Sequence, residues 1–277
     1  MKWQDFLVCP NCLRSFRAYH EQQDDKKEYH LSGATCTSCK KTYNIEDGVA
    51  IFSDPPDGRR EWLFERNRYD NIASIKPESW GLNDSKPETR TNILKTFIDE
   101  GHGTILEVGS GFGQLAKNFP DRDKILLEQS RGFIEFLKGL HLSKTWLVEG
   151  WAEHMPLRSN FFGCVVSDSV FQTVTDQKEF LFENARVLAP NGTFLLATSY
   201  EWNYPRKPQS FPASDHELII KFLCELGIEA KVKYYDLKRG GAVEIYDTFI
   251  SGGGDVGYVS SAFSVGDYLV IEGTKKN

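Results

Sequence analysis

The fold is decided by one stretch, Thr104-Ile105-Leu106-Glu107-Val108-Gly109-Ser110-Gly111-Phe112-Gly113-Gln114-Leu115. Its first apolar residues predict a short buried strand. Three glycines at alternate positions then predict a tight turn, because glycine adopts positive φ and lets the backbone approach a ligand with no Cβ in the way. We expect a helix to begin after this turn, near Gln114.

The spacing of the glycines and the acid before them indicates the kind of ligand. The pattern G-x-G-x-G differs from the dinucleotide fingerprint G-x-G-x-x-G, and the chain has no G-x-x-x-x-G-K-[ST] phosphate loop. A dinucleotide site offers backbone N–H groups to a pyrophosphate, and a carboxylate at Glu107 would oppose that charge. Glu107 instead suits a ligand that carries an ammonium and a sulfonium.

Three further blocks follow at the spacing of alternating strands and helices. The strand from Lys124 to Glu128 ends in a carboxylate that can accept both hydroxyls of a ribose. A strand over residues 145–148 leads to Ala152 and Glu153, and a fourth strand ends at Asp168. A fifth strand follows the turn at 190–192. This alternation predicts a parallel, doubly wound α/β sheet with its ligand beyond the carboxyl ends of the strands.

Together these blocks resemble the class I methyltransferases that use S-adenosylmethionine (SAM), especially the subgroup typified by the ubiquinone/menaquinone-biosynthesis enzymes. The resemblance covers about residues 100–200 and implies a Rossmann-like, seven-stranded sheet with SAM as cofactor. By this likeness the glycine turn and Glu107 hold the methionine end, Ala152 and Glu153 border the adenine, and Asp168 with Ser169 lies beside the sulfonium. The predicted cofactor-binding residues are Glu107, Gly109, Ser110, Gly111, Gly113, Glu128, Gln129, Ala152, Glu153, Asp168 and Ser169.

Two positions depart from the pattern of that family. Trp151 stands where the family usually has an Asp, which removes an acceptor for the adenine amine and could substitute stacking. Gly163 stands where an Asp usually begins the fourth strand. These departures leave open a non-catalytic or regulatory protein that retains the fold.

Four of the six cysteines form two Cys-x-x-Cys pairs near the N-terminus, Cys9 with Cys12 and Cys36 with Cys39. Two such turns can complete the tetrahedron of thiolates that Zn²⁺ prefers, and four protein ligands leave no open position for catalysis. The alternatives are two disulfides in a small secreted module, or His20 and His30 as competing ligands. We expect a structural zinc site, with residues 21–28 as the exposed tip of a hairpin.

The segments Leu7–Pro10 and Tyr43–Phe52, with the cysteine pairs, resemble the short zinc-ribbon family. Its members include small bacterial proteins and the subunit that activates several eukaryotic tRNA and protein methyltransferases. We therefore predict a small β zinc ribbon at residues 1–53, a linker and flap at 54–87 and the methyltransferase domain at 88–277. The linker segment is rich in proline and charge, as domain boundaries often are.

Composition limits the function further. The net charge is −6 over 277 residues, which argues mildly against a sequence-independent nucleic-acid binder. No apolar run is long enough to span a bilayer or resembles a signal peptide, so we expect no membrane partner and a cytoplasmic location. The sequence leaves the oligomeric state open.

The favoured function is a methyltransferase for a small or medium-sized molecule, with an acceptor loop over residues 202–212. The first alternative is an rRNA or tRNA methyltransferase that uses the ribbon to recognise RNA. No catalytic residue is assigned from the sequence. A general base is needed only if the acceptor must lose a proton, and the candidates are Tyr69, His141, His154, Asp168 and His216.

Overall fold

The computed structural model describes residues 1–16, 18–23, 29–54, 60–73, 87–199, 211, 216–236, 243–249 and 268–277. The strands of these residues are β1 (Ala18–Gln23), β2 (Tyr29–Thr35), β3 (Thr42–Glu46), β4 (Val49–Ile51), β5 (Ile105–Val108), β6 (Lys124–Glu128), β7 (Thr145–Glu149), β8 (Phe162–Asp168), β9 (Leu188–Ser199), β10 (Ile228–Asp236), β11 (Val243–Phe249) and β12 (Tyr268–Lys275). The helices are α1 (Trp3–Phe6), α2 (Arg60–Ala73), α3 (Pro87–Glu100), α4 (Arg131–Gly139), α5 (Gln177–Val187) and α6 (His216–Glu225). Among the described residues, no helix is both long and apolar enough to cross a membrane.

All twelve strands join in one sheet, in the order β1-β2-β3-β4-β7-β6-β5-β8-β9-β12-β10-β11. Strands β7, β6, β5, β8 and β9 run parallel to one another, whereas β12 runs antiparallel to both β9 and β10. The seven strands from β7 to β10 in this order form the predicted Rossmann-like sheet of the class I methyltransferase fold. Strand β11 adds one antiparallel strand beyond it.

Helices cover both faces of this sheet. The evidence is that successive residues of one strand pack into different clusters of the core. Ile105, Val166 and Leu195 pack with the apolar stripe of α3, from Ile93 to Ile98. Their neighbours Leu106, Val165 and Leu196 pack with apolar side chains of α5 and α6. Central strands buried on both faces read as nearly continuous apolar runs, which is why residues 105–108 and 162–166 are so apolar.

The segment after the glycine turn does not form the helix that we expected near Gln114. It contains only a short 3₁₀ helix, Ala116–Asn118, which ends at Phe119 with φ −124° and ψ 59°. Pro120 explains this ending, because a proline disfavours the α conformation of the residue before it. The chain then turns directly into β6.

The ribbon strands extend the methyltransferase sheet, so the N-terminal segment is not a separate body. β4 pairs in parallel with β7, from Val49 opposite Leu147 to Ile51 opposite Glu149. A second contact is the antiparallel bridge between Leu7 and Leu157. Apolar residues of the ribbon and of the larger sheet belong to one hydrophobic core.

Parts of three predicted segments lie outside the described residues. These are the far end of the hairpin tip at 24–28, residues 55–59 and 74–86 of the linker and flap, and the acceptor loop at 202–212 apart from Phe211. The backbone N–H of Phe211 donates to Oε1 of Gln177 at 2.8 Å.

Candidate functional site

A cavity of about 230 Å³ lies at the carboxyl ends of β5, β6, β7 and β8. Every predicted cofactor-binding residue lines it except Gly113; these are Glu107, Gly109, Ser110, Gly111, Glu128, Gln129, Ala152, Glu153, Asp168 and Ser169. Gly113 serves packing instead, because it has φ +64° and a Cβ there would lie 2.7 Å from Cδ2 of Leu137 in α4. The predicted residues lie together because the carboxyl ends of parallel strands meet at the same edge of the sheet.

The first two glycines of the turn have different surroundings. Gly109 has φ +72°, and a Cβ on it would lie 2.2 Å from Cγ2 of Val170. Gly111 has φ +48° and would place a Cβ in open space, with nothing within 4 Å. Gly109 therefore allows the turn to pack on the segment after β8, whereas Gly111 leaves room on the cavity side.

The carboxylate of Glu128 is fixed by three backbone N–H groups. Oε2 accepts from Gly111 at 2.9 Å, and Oε1 accepts from Gln129 at 2.9 Å and from Ser130 at 3.0 Å. Burial raises the pKa of Glu128, and these three hydrogen bonds act in the opposite direction. The side chain is thereby oriented before any ligand arrives.

Glu107 is an acid of the cavity wall with a strongly raised pKa. Burial raises its pKa to about 8, and the nearby charge of Asp168 adds to the shift. Four carboxyl groups line the cavity, from Glu107, Glu128, Glu153 and Asp168, against one cationic side chain among the described lining residues, that of Arg90. This excess of acids favours a cationic ligand.

Arg90 of α3 is a cavity residue that the sequence analysis missed. Its Nη2 donates to Oδ1 of Asp168 at 2.6 Å and also to Oγ of Ser169. The guanidinium carbon lies 4.8 Å from the ring centroid of Tyr268, whose hydroxyl donates to the same Asp168 oxygen at 3.2 Å. A weak signal was present, since Arg90 precedes Leu94 by four residues and so extends the apolar stripe of α3.

The two departures from the family pattern have structural explanations. Trp151 is 3% exposed and is absent from the described cavity wall; its Nε1 donates to the carbonyl of Ser53 at 3.3 Å. The stacking role that we considered for it stays a prediction. At Gly163 a Cβ would lie 1.9 Å from the carbonyl oxygen of His102, so the close approach of the 101–103 turn requires glycine.

The cavity also reduces the set of possible general bases. Among the candidates, Asp168 and Tyr69 line it, whereas His141, His154 and His216 do not. Asp168 is paired with Arg90. Glu153 likewise has a structural bond, since its Oε1 accepts from the backbone N–H of Thr175 at 2.6 Å.

The four N-terminal cysteines converge on one point. Their Sγ atoms all lie within 4.8 Å of one another, and Cys9–Cys39 and Cys12–Cys36 are each 3.5 Å apart. All four are free thiols, which differs from the two-disulfide alternative. Both turns are built alike, because Leu13 and Lys40 each have positive φ and donate to the carbonyl of the first cysteine of their pair.

This donor set fits a tetrahedral Zn²⁺ ion, whose bonds to sulfur of about 2.3 Å require thiolates roughly 3.8 Å apart. The backbone N–H of Lys41 lowers the pKa of Cys39 to about 6, whereas burial raises that of Cys9 to about 12. His20 is engaged elsewhere, with its Nε2 2.7 Å from Oγ1 of Thr35.

Comparison with known proteins agrees with the fold. Residues 106–196 match the family described as "Methyltransferase domain". A malonyl-[acyl-carrier protein] O-methyltransferase of Geobacter sulfurreducens is 31% identical over 135 residues, which are 46% of this chain and 50% of the relative. The chain thus spans about half the length of that curated relative.

Two solved structures share the fold at low sequence identity. A SAM-dependent methyltransferase of Thermotoga maritima, described as a possible histamine N-methyltransferase, has a TM-score of 0.56 at 21% identity, over 76% of this chain and all of that one. A chain from the complex of the Haloferax volcanii Trm112 methyltransferase activator with a putative methyltransferase also has a TM-score of 0.56. It is 16% identical and is matched over 97% of its length, against 76% of this chain.

The sheet order, the glycine turn at its centre and the family match lead to one class. The chain has the class I methyltransferase fold, within which residues 106–196 match the methyltransferase-domain family.

Proposed function

We propose that this protein is a SAM-dependent methyltransferase that transfers a methyl group to a small or medium-sized molecule by in-line displacement. The observation that carries the proposal is the cavity at the strand ends, where the glycine turn and four carboxyl groups converge. SAM presents an ammonium, a sulfonium and two ribose hydroxyls, and carboxylates are suitable partners for all three. Most of the rate of such a displacement can come from holding the methyl group and the acceptor in line and in contact.

In this proposal each predicted residue keeps the role that its place in the cavity supports. Glu107 and the turn from Gly109 to Gly111 hold the methionine end, and Glu128 with Gln129 holds the ribose. Ala152 and Glu153 border the adenine. Asp168 and Ser169 lie beside the sulfonium, where Arg90 holds the Asp168 carboxylate in place.

The nature of the acceptor is supported by the curated relative, which is named for the methylation of a malonyl group on a carrier protein. A malonyl group is small, in keeping with the proposed class of acceptor. No general base is assigned, since only an acceptor that must lose a proton needs one.

Titration calorimetry with SAM and S-adenosylhomocysteine tests the cofactor. We expect both to bind, and we expect Glu128→Gln to weaken SAM binding by about tenfold, because the amide replaces one charged acceptor oxygen with a donor. Glu135→Gln, an exposed position on the outer part of α4, is the matched control and should bind like the wild type. If the wild type bound neither SAM nor S-adenosylhomocysteine, the result would favour the non-catalytic alternative.

A second observation tests the RNA alternative. RNA that co-purifies with the protein, and that is lost steeply as the salt concentration rises, would favour it.

We also propose that Cys9, Cys12, Cys36 and Cys39 hold one structural Zn²⁺ ion, and that residues 1–53 form the ribbon, 54–87 the linker and flap, and 88–277 the catalytic domain. The support for the metal is the convergence of the four Sγ atoms within 4.8 Å. Metal analysis should give about one zinc per chain, as a single four-thiolate site requires.

A further inference from the structure

Helix α2 crosses the start of α4 and contributes Tyr69 to the wall of the cavity. We propose that Glu149 is a positioning residue that, together with Asp70, fixes α2 so that Tyr69 contacts the bound cofactor. This inference rests on the proposed function, because it assigns a ligand contact within the same cavity. Glu149 itself is not part of the described cavity wall.

The first tie runs through Glu149 at the carboxyl end of β7. Its side chain is 1% exposed, and its two oxygens are divided between two helices. Oε1 accepts from Arg66 of α2, and Oε2 accepts from Nη1 of Arg131 of α4 at 2.8 Å. A buried carboxylate needs such partners, because an isolated charge taken out of water is strongly unfavourable. The sheet thus holds the two helices by one charged group.

The second tie runs from Asp70 to the first turn of α4. Oδ1 of Asp70 accepts from Oγ of Ser130 at 2.7 Å and from the backbone N–H of Gly132 at 3.1 Å. The N–H groups of a first helical turn have no partner within their own helix, so α2 here supplies the missing acceptor. Gly132 allows this approach, since a Cβ on it would lie 2.7 Å from Cβ of Ala73.

Both ties lie within one helical turn of Tyr69. Arg66 precedes Tyr69 by three residues and Asp70 follows it, so the two anchors leave α2 little freedom to rotate or shift at this point. The same α4 terminus follows directly on Glu128 and Gln129, which line the cavity with Tyr69. The ties therefore set the distance between the Tyr69 ring and the proposed ribose and adenine positions.

The test is a double-mutant cycle on SAM binding, measured by calorimetry well below the melting temperature of each variant. Glu149→Gln keeps the size of the side chain and removes the charge that attracts Arg66. We expect it to raise the Kd for SAM about tenfold, and Tyr69→Ala to do the same, by loss of one ring contact. If Glu149 acts by placing Tyr69, the double variant binds about as well as Tyr69→Ala alone, whereas independent effects would multiply to about a hundredfold.

Glu135→Gln is the matched control, because Glu135 also pairs with Arg131 but is half-exposed and has no described contact with α2. Should Glu149→Gln fail to fold, Arg66→Gln removes only the α2 side of the tie, and we expect the same Kd and the same non-additivity with Tyr69→Ala. An unchanged Kd, or effects that multiply, would overturn the proposal while the wild type still binds SAM. A wild type that binds no SAM overturns the proposed function, and this inference with it.

Discussion

The carboxyl group of Glu107 is buried and belongs to the wall of the cavity. Because burial and the charge of Asp168 raise its pKa to about 8, Glu107 carries a proton at neutral pH before the ligand binds. An ammonium group beside it favours the ionised form and lowers that pKa. If Glu107 holds the ammonium group, as proposed, binding of SAM is therefore linked to the release of a proton.

The linkage predicts that SAM affinity rises with pH from about 6 to 8, by as much as tenfold per unit, and that calorimetry in buffers of different ionisation enthalpy detects the released proton. Glu107→Gln should bind more weakly at pH 8 and show a flat profile over the same range. A wild-type affinity that does not change with pH, or a variant that keeps the slope, would contradict this assignment.

The same shift affects the stability of the ligand-free protein, and its sign follows from the two pKa values. The folded pKa of about 8 lies above the ordinary value of 4.5, so the contribution of Glu107 is present in full below pH 4.5 and is lost as the pH rises through 8. At pH 8 to 9 the Glu107→Gln variant should therefore melt at a higher temperature than the wild type. Weaker ligand binding with higher stability distinguishes a ligand-binding acid from a structural one.

At this scale the sequence predicted the cavity residues that follow strand ends, since their positions depend on local spacing. It did not predict Arg90, because the contact between Arg90 and Asp168 joins α3 to the end of β8 across 78 residues. Tyr268 meets the same oxygen from 100 residues away. Local patterns carry no information about which distant side chains meet.

At the scale of elements, the glycine turn performs two tasks that can be separated by substitution. Gly109→Ala should destabilise the protein by about 2–4 kcal/mol, because the new Cβ meets Val170 and an L-residue is strained at positive φ. Gly111→Ala carries the same backbone strain but no clash, so it should cost about 1–2 kcal/mol. Because Gly111 belongs to the cavity wall, the main effect of this substitution should be on SAM binding.

Urea denaturation and calorimetry on both variants measure the two effects separately. The expected pattern is a large loss of unfolding free energy for Gly109→Ala and a large loss of SAM affinity for Gly111→Ala. Equal stability of the two variants would show that the contact with Val170 relaxes without cost.

The structure of the segment after this turn was misjudged for a reason visible in the sequence. Pro120 lies only seven residues after Gly113, the last glycine of the turn. It limits the helical structure between them to one 3₁₀ turn, Ala116–Asn118. The presence of Gly163, where the resembled family usually has an Asp, could not be explained from the sequence. Its cause is the carbonyl of His102, which approaches only in the folded protein.

At the scale of the whole molecule, the ribbon and the methyltransferase sheet form one continuous structure. The sequence predicted both parts from their own motifs but not their junction, because the pairing of β4 with β7 joins segments almost a hundred residues apart. Residues 6–8 of the ribbon make further hydrogen bonds to residues 156–158. The Val8 N–H donates to the Pro156 carbonyl at 2.9 Å, and the Arg158 N–H donates to the Phe6 carbonyl at 2.8 Å. A shared core and a shared sheet favour cooperative unfolding.

Loss of the proposed metal should therefore destabilise the entire chain rather than the ribbon alone. A four-thiolate zinc site contributes directly to folding, and the ribbon strands that it orders cover the β7 edge of the sheet. We expect Cys12→Ser, or treatment with a strong chelator, to lower the melting temperature of a single calorimetric transition by roughly 10 °C or more. Cys224→Ser is the matched control: this cysteine lies in α6, outside the cluster, so its substitution should leave zinc content and melting temperature nearly unchanged. Two separate transitions, with the upper one unaffected by metal removal, would show instead that the sheet junction does not couple the two parts energetically.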